Sequence, residues 1–227
     1  MKKVTGARLA AYIIDSLIVA LIASLFAGIT LINPNKEKME ELEEEYTTST
    51  IENFKNQDYS FFNDSNIENM TYEISYYGIY ASVIELVVMF LYFGLFQYYN
   101  KGQTIGKKLL KIEVVSTNKK KLKLYQIIIR SGIINGLLTS SLAIIGLLYL
   151  SKASFLHYDT FVGLLNDGLE IACIIMILYR SDGIGLHDLL ASTRVISCAD
   201  RELFEKENNI KEAKVTIKKA KKEIEWK

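Results

Sequence analysis

Four carboxylates interrupt stretches that are otherwise apolar: Asp15, Glu85, Asp167 and Glu170. A charged side chain at the centre of a membrane costs about 2.5–3.5 kcal/mol even on the gentlest scales, so each needs a partner or a use. Such groups mark ion or proton routes, and residues at several depths in a bundle would pass a cation or protons from one to the next. Asp167 and Glu170 are three apart and share a helix face. The nearby cations are Arg8 and Arg130. Arg8 precedes Asp15 by two helical turns on the same face. The rise between them is about 10 Å, too far for a self-contained pair. Asp15 is therefore expected to meet Arg130, and Arg8 to meet Asp188 or Asp182, in one polar cluster near the inner face. The same pairs would serve equally as a structural clasp that fixes helix packing.

Other chemistries are excluded by spacing. Gly102-Gln103-Thr104-Ile105-Gly106-Lys107-Lys108 has its glycines one residue too close for a phosphate-binding loop, and Lys108 stands where a hydroxyl must hold magnesium. His187 and Asp188 are adjacent, which does not give triad geometry, and no GxSxG nucleophile motif accompanies them. The only histidines, His157 and His187, are thirty residues apart, and the two cysteines, Cys173 and Cys198, form no metal-ligand cluster. No enzyme activity, metal or cofactor is expected. The 27 basic and 26 acidic residues balance, and no nucleic-acid partner is expected.

The elements that must position these groups follow from the segregation of charge and apolarity into blocks. Four apolar runs read as membrane spans at about 8–32, 76–99, 126–150 and 161–181. The first is too long for the apolar core of a signal peptide and reads as a retained span. Tyrosines crowd both ends of the second, as in an aromatic belt. The third carries Gly132 and Gly136 at the spacing that lets helices approach closely. A short outer loop is expected at 151–160.

The polar segments orient the spans. Residues 33–75 hold eleven carboxylates against three lysines, whereas 100–125 hold eight lysines against Glu113 alone. Lysine-rich loops stay in the cytoplasm, so the first of these is an outer loop, the second an inner loop, and both termini are cytoplasmic. In the outer loop, KEKMEELEEEY is strongly helix-forming, and the Asn/Ser-rich remainder reads as irregular surface. In the inner loop, residues 111–115 alternate polar and apolar and turn at 116–118 into 119–124. This fits a short ribbon at the membrane surface or a solvated basic loop near anionic headgroups. The tail, 197–227, is charged and helix-forming, with Leu203, Ile210, Ile217 and Ile224 seven apart. It reads as a coiled-coil seam or as an amphipathic helix on the inner surface. The fold class is an all-α polytopic membrane bundle of four helices, residues 1–196, followed by this tail.

Arg8, Asp15, GQTIGKKLLKIEVV at 102–115 and LHDLLASTRVI at 186–196 together resemble the RDD family of membrane proteins, named for one arginine and two aspartates. The resemblance matches the family arginine to Arg8 and its aspartates to Asp15 and Asp188. It matches the loop motif to Gly102, Thr104, Gly106 and Lys107. Ser192 stands where the family commonly has glycine. The resemblance implies a multi-pass protein of a bacterial cell membrane with a proposed role in transporting an unidentified ligand, and for some members sodium/proton exchange. The expected partners are the lipid bilayer, a small cation or proton, and a second copy or another membrane protein. The alternative is a non-transporting scaffold.

Overall fold

A computed structural model describes residues 4–58, 65–117 and 121–207. Its long helices form where the sequence is continuously apolar. Helix α1 (Thr5–Ala27) is built from Ala, Leu and Ile. It stops at Ala27, short of residue 32, because Asn33 folds back and donates its amide to the Ala27 carbonyl at 2.9 Å. The second span comprises α4 (Ile79–Met89), a π-helical turn (Phe90–Phe96) and α5 (Gln97–Tyr99). A π-turn frees backbone carbonyls from the regular ladder, and here Ser131 donates to the Phe93 carbonyl at 3.0 Å.

The expected third span is not one continuous helix. Helix α7 (Leu124–Ile134) and α8 (Leu137–Tyr149) meet at 70°. Gly136 lies between them at φ +69°, a left-handed conformation that glycine adopts without a Cβ clash. The expected outer loop at 151–160 is helix instead: α9 (Lys152–Tyr179) begins there and continues without interruption. The fold is mostly helical. Among the described residues three helices, Thr5–Ala27, Ile79–Tyr99 and Lys152–Tyr179, are long and apolar enough to cross a membrane, and counting the bent pair α7–α8 as one span makes four candidates.

Outside the spans, α2 (Lys36–Lys55) takes the acidic stretch. The segment read as irregular surface forms α3 (Ser65–Tyr77), with Ile67 buried. The Asn/Ser content misleads there because an apolar face, not local propensity, fixes a helix that packs on a neighbour.

The ribbon exists, but with a different partner. Strand β1 (Ile112–Ser116) pairs antiparallel with β2 (Thr193–Ser197), Val114 opposite Val195, rather than with 119–124. Both strands carry β-branched residues, whereas 119–124 offers lysine and leucine, which pack less well on a pleated surface. Short helices α6 (Ile105–Leu109) and α10 (Leu186–Ala191) precede the two strands. A 3-10 turn (Cys198–Asp200) follows β2, and helix continues over 201–207. Phe204 is buried there with Val115 and Ile196. The repeat at Ile210, Ile217 and Ile224 lies outside the described residues.

The chain forms two compact units. One comprises residues 1–15, 95–130 and 172–227, and the other 16–94 and 131–171. The first has a core of Ala11, Ile112, Val114, Ile127 and Val195. The second is built on Val19, Ala23, Val88, Met89, Tyr92, Phe93 and Leu137.

Candidate functional site

Two carboxylates, each with no exposed surface, organise the first unit. Asp188 is the third residue of α10, and its Oδ2 accepts the Gly185 amide at 3.1 Å, closing the helix start. The same oxygen accepts Arg8 Nη2 at 2.5 Å. Oδ1 accepts Arg130 Nη1, and the Thr193 hydroxyl at 3.3 Å. Burial alone would raise the Asp188 carboxyl, but the Arg130 and Arg8 guanidiniums outweigh it and hold the group well below the usual carboxylate range. Asp188 thus stays charged and binds two cations at once. Arg8 reaches further, donating Nη1 to the Gly183 carbonyl at 2.5 Å.

Arg8 Nη2 also lies 3.1 Å from His187 Nε2. A guanidinium only donates, so Nε2 accepts and the imidazole proton resides on Nδ1. Burial, then the Arg130 charge, pushes His187 well below its ordinary range and keeps it neutral. Among the described residues its Nδ1 is buried without a hydrogen-bond partner.

Asp15 is held by the loop motif at 102–107. Its Oδ2 accepts the Thr104 hydroxyl at 2.5 Å, and its Oδ1 accepts the Gly106 amide at 2.7 Å. Lys107 Nζ stands 3.6 Å from Oδ2 and 3.1 Å from Thr104 Oγ1. Each motif residue therefore has a physical reason. Gly106 must lack a side chain, because a Cβ would sit 2.6 Å from the Ala11 carbonyl and 2.9 Å from Asp15 Oδ1. Thr104 both donates to Asp15 and caps α6. Gly102, at φ +82°, turns the chain and packs its Cα on the Val114 carbonyl. Burial pushes the Lys107 ammonium down to about 8; Arg130 adds to the fall and Asp15 opposes it.

The expected cluster of charges is therefore found, with its partners rearranged. Arg8 does meet Asp188. Arg130 also meets Asp188, and Thr104 and Gly106 of the loop hold Asp15. Asp182 does not meet Arg8. It pairs with Arg180 at 2.7 Å in a turn, and that hydrogen bond lowers it to about 2.

The remaining carboxylates belong to the second unit. Glu85 and Asp167 lie on exposed helix faces. Glu170 is half-buried, and its Oε1 accepts Asn166 Nδ2 at 3.3 Å. Thr139 donates to Asn166 Oδ1 at 2.7 Å, next to the break at Gly136. Sequence reasoning missed Asn166 and Thr139 here. In the first unit it missed Thr193 and Gln126, whose amide donates to Ser116 Oγ and to the Ala191 and Ser192 carbonyls. A lone Gln or Thr at a span end gives no signal beyond its polarity. Among the described residues no group of three His, Cys, Asp or Glu side chains gathers as a metal site.

Helices long and apolar enough to cross a membrane, a π-turn, a bent helix pair and a buried Arg–Asp–Arg cluster are the features of a membrane protein. The RDD family model matches residues 4–192, and the chain belongs to that family, one of membrane proteins. No curated protein and no solved structure matches the chain.

Proposed function

We propose that the protein is a four-span carrier of a bacterial cell membrane, with both termini cytoplasmic, that exchanges a small cation for protons. One observation carries this reading: the third span breaks at Gly136 beside the chain Thr139–Asn166–Glu170. Irregular backbone at membrane depth is tolerated only where it is buried in protein or lines a water-filled cavity, and carriers place ion sites at broken helices. Glu170 supplies the exchangeable charge. Asp167, in the same helix, and Glu85, on α4, extend the polar route, with a second copy as the cover for their exposed faces. Asp15 stands with the inner cluster. No chemical conversion belongs to this reading.

Purified protein in liposomes should collapse an imposed pH gradient when sodium or potassium is added. Glu170→Gln should slow that collapse at least tenfold, which corresponds to about 1.4 kcal/mol. Equal flux in wild type and variant contradicts the route.

The second reading is a scaffold whose charges are structural. It is favoured by the full pairing of Asp188 with Arg8 and Arg130. It predicts a crosslinked membrane partner that is lost on deleting 199–227, and no flux in any variant.

A further inference from the structure

The loop that cradles Asp15 has a second side. Helix α6 turns Gly106 toward α1, while Ile105, Lys108 and Leu109 share another face at i, i+3 and i+4. Ile105 is 41% and Leu109 65% exposed, and Lys108 is exposed with them. Lys101, Lys111 and Lys121 are exposed along the same segment. In α10, Leu189 and Leu190 are also exposed, while His187, Asp188 and Ala191 face inward.

Depth along α1 explains this composition. Thr104 and Gly106 bind Asp15, which lies seven residues, or about 10 Å of rise, beyond Arg8. At that level the surface of α1 is already apolar, with Ile13 and Leu17 exposed. A loop held there meets the boundary of headgroups and acyl chains. Interfacial helices bury their apolar face roughly 5–10 Å into that boundary and turn lysines to the phosphates.

We propose that α6 and its flanking lysines form a docking element for anionic phospholipid, with Ile105 and Leu109 among the acyl chains and Lys101, Lys108, Lys111 and Lys121 on the lipid phosphates. The proposal rests on the inward orientation of the 100–125 loop in the reading above. Charge complementarity selects the occupant: the cytoplasmic leaflet is the anionic surface within reach of these lysines, and each contributes about a fivefold preference for it. Because Thr104, Gly106 and Lys107 hold Asp15, lipid on the outer side of α6 steadies the cradle on its inner side.

The test uses the full chain in nanodiscs of phosphatidylcholine mixed with phosphatidylglycerol. After exchange into detergent, native mass spectrometry counts phosphatidylglycerol retained per protein. Wild type should retain it, and the variant Lys101→Gln/Lys108→Gln/Lys111→Gln/Lys121→Gln should retain at least about tenfold less. Inorganic phosphate should not displace it. A polarity-sensitive dye on Leu109→Cys should emit as in an apolar medium, both in wild type and in the lysine variant, which also reports that the variant is folded. Equal retention by the variant, displacement by inorganic phosphate, or water-like emission at residue 109 overturns the proposal. Ion flux is not read here, so a failed carrier assay leaves this outcome unchanged.

Discussion

At the residue scale, the buried Asp188 carboxylate is matched by two guanidiniums, and its removal strands both. Asp188→Asn should destabilise the protein by about 3–5 kcal/mol, the cost of breaking a buried pair from one side. Thermal unfolding in detergent measures it, and a variant as stable as wild type would show that the arginines find other partners. Asp182→Asn breaks a pair whose side chains are 42% and 35% exposed, and should change stability by less than about 1 kcal/mol.

Lys107 gives a pH dependence of definite sign. Its folded-state value is pushed from the ordinary 10.5 to about 8. Between those values the unfolded chain binds the proton and the folded chain does not, so stability rises with pH across that window and is level below it. Lys107→Met should abolish the rise. A wild-type stability that stays level from pH 8 to 10.5 and falls above it would mean that the charged Lys107–Asp15 pair outweighs the burial penalty.

At the element scale, the breaks in regular structure are what position the site. Gly136 permits the turn between α7 and α8, and Gly106 lets α6 touch α1. Gly106→Ala should detach Thr104 from Asp15, seen as faster amide exchange over 104–109, because neither the Ala11 carbonyl nor Asp15 can yield the space. Unchanged exchange would mean that α1 shifts to admit the methyl. These features also mark the limit of sequence reading. Apolar runs are visible by length alone, so the first and second helices were legible to within several residues at their ends, while the fourth began nine residues before its expected start because 152–160 is polar enough to read as a loop. The charge partners Arg8 and Asp188 were legible because a buried charge demands an opposite one. The break at Gly136 was not, since a GxxxG pair reads equally as helix packing. The pairing of β1 with β2 was hidden by about eighty intervening residues. Thr104 and Gly106 as partners of Asp15 were hidden because a hydroxyl and a backbone amide leave no charge signature.

At the scale of the whole molecule, the polar segments carry opposite charge, and the proposed orientation rests on them. Cysteine introduced at Lys121 should react with an impermeant maleimide only in inverted vesicles, and cysteine at Glu43 only in intact cells. The reverse pattern would turn the molecule over. The two compact units divide the chemistry. One holds the buried Asp15 and Asp188, and the other holds Glu170 near the helix break at Gly136. This division is why ion exchange is assigned to Glu170, and the Arg8–Asp188–Arg130 cluster is read as the clasp. Carbodiimide labelling tests the assignment directly, because the reagent attacks carboxyl groups in apolar surroundings and a bound cation shields them. In reconstituted protein, Glu170 should be modified at a rate that falls as sodium or potassium is added, while modification of Glu85 stays constant. Labelling of Glu170 that is absent, or indifferent to either cation, would contradict the account.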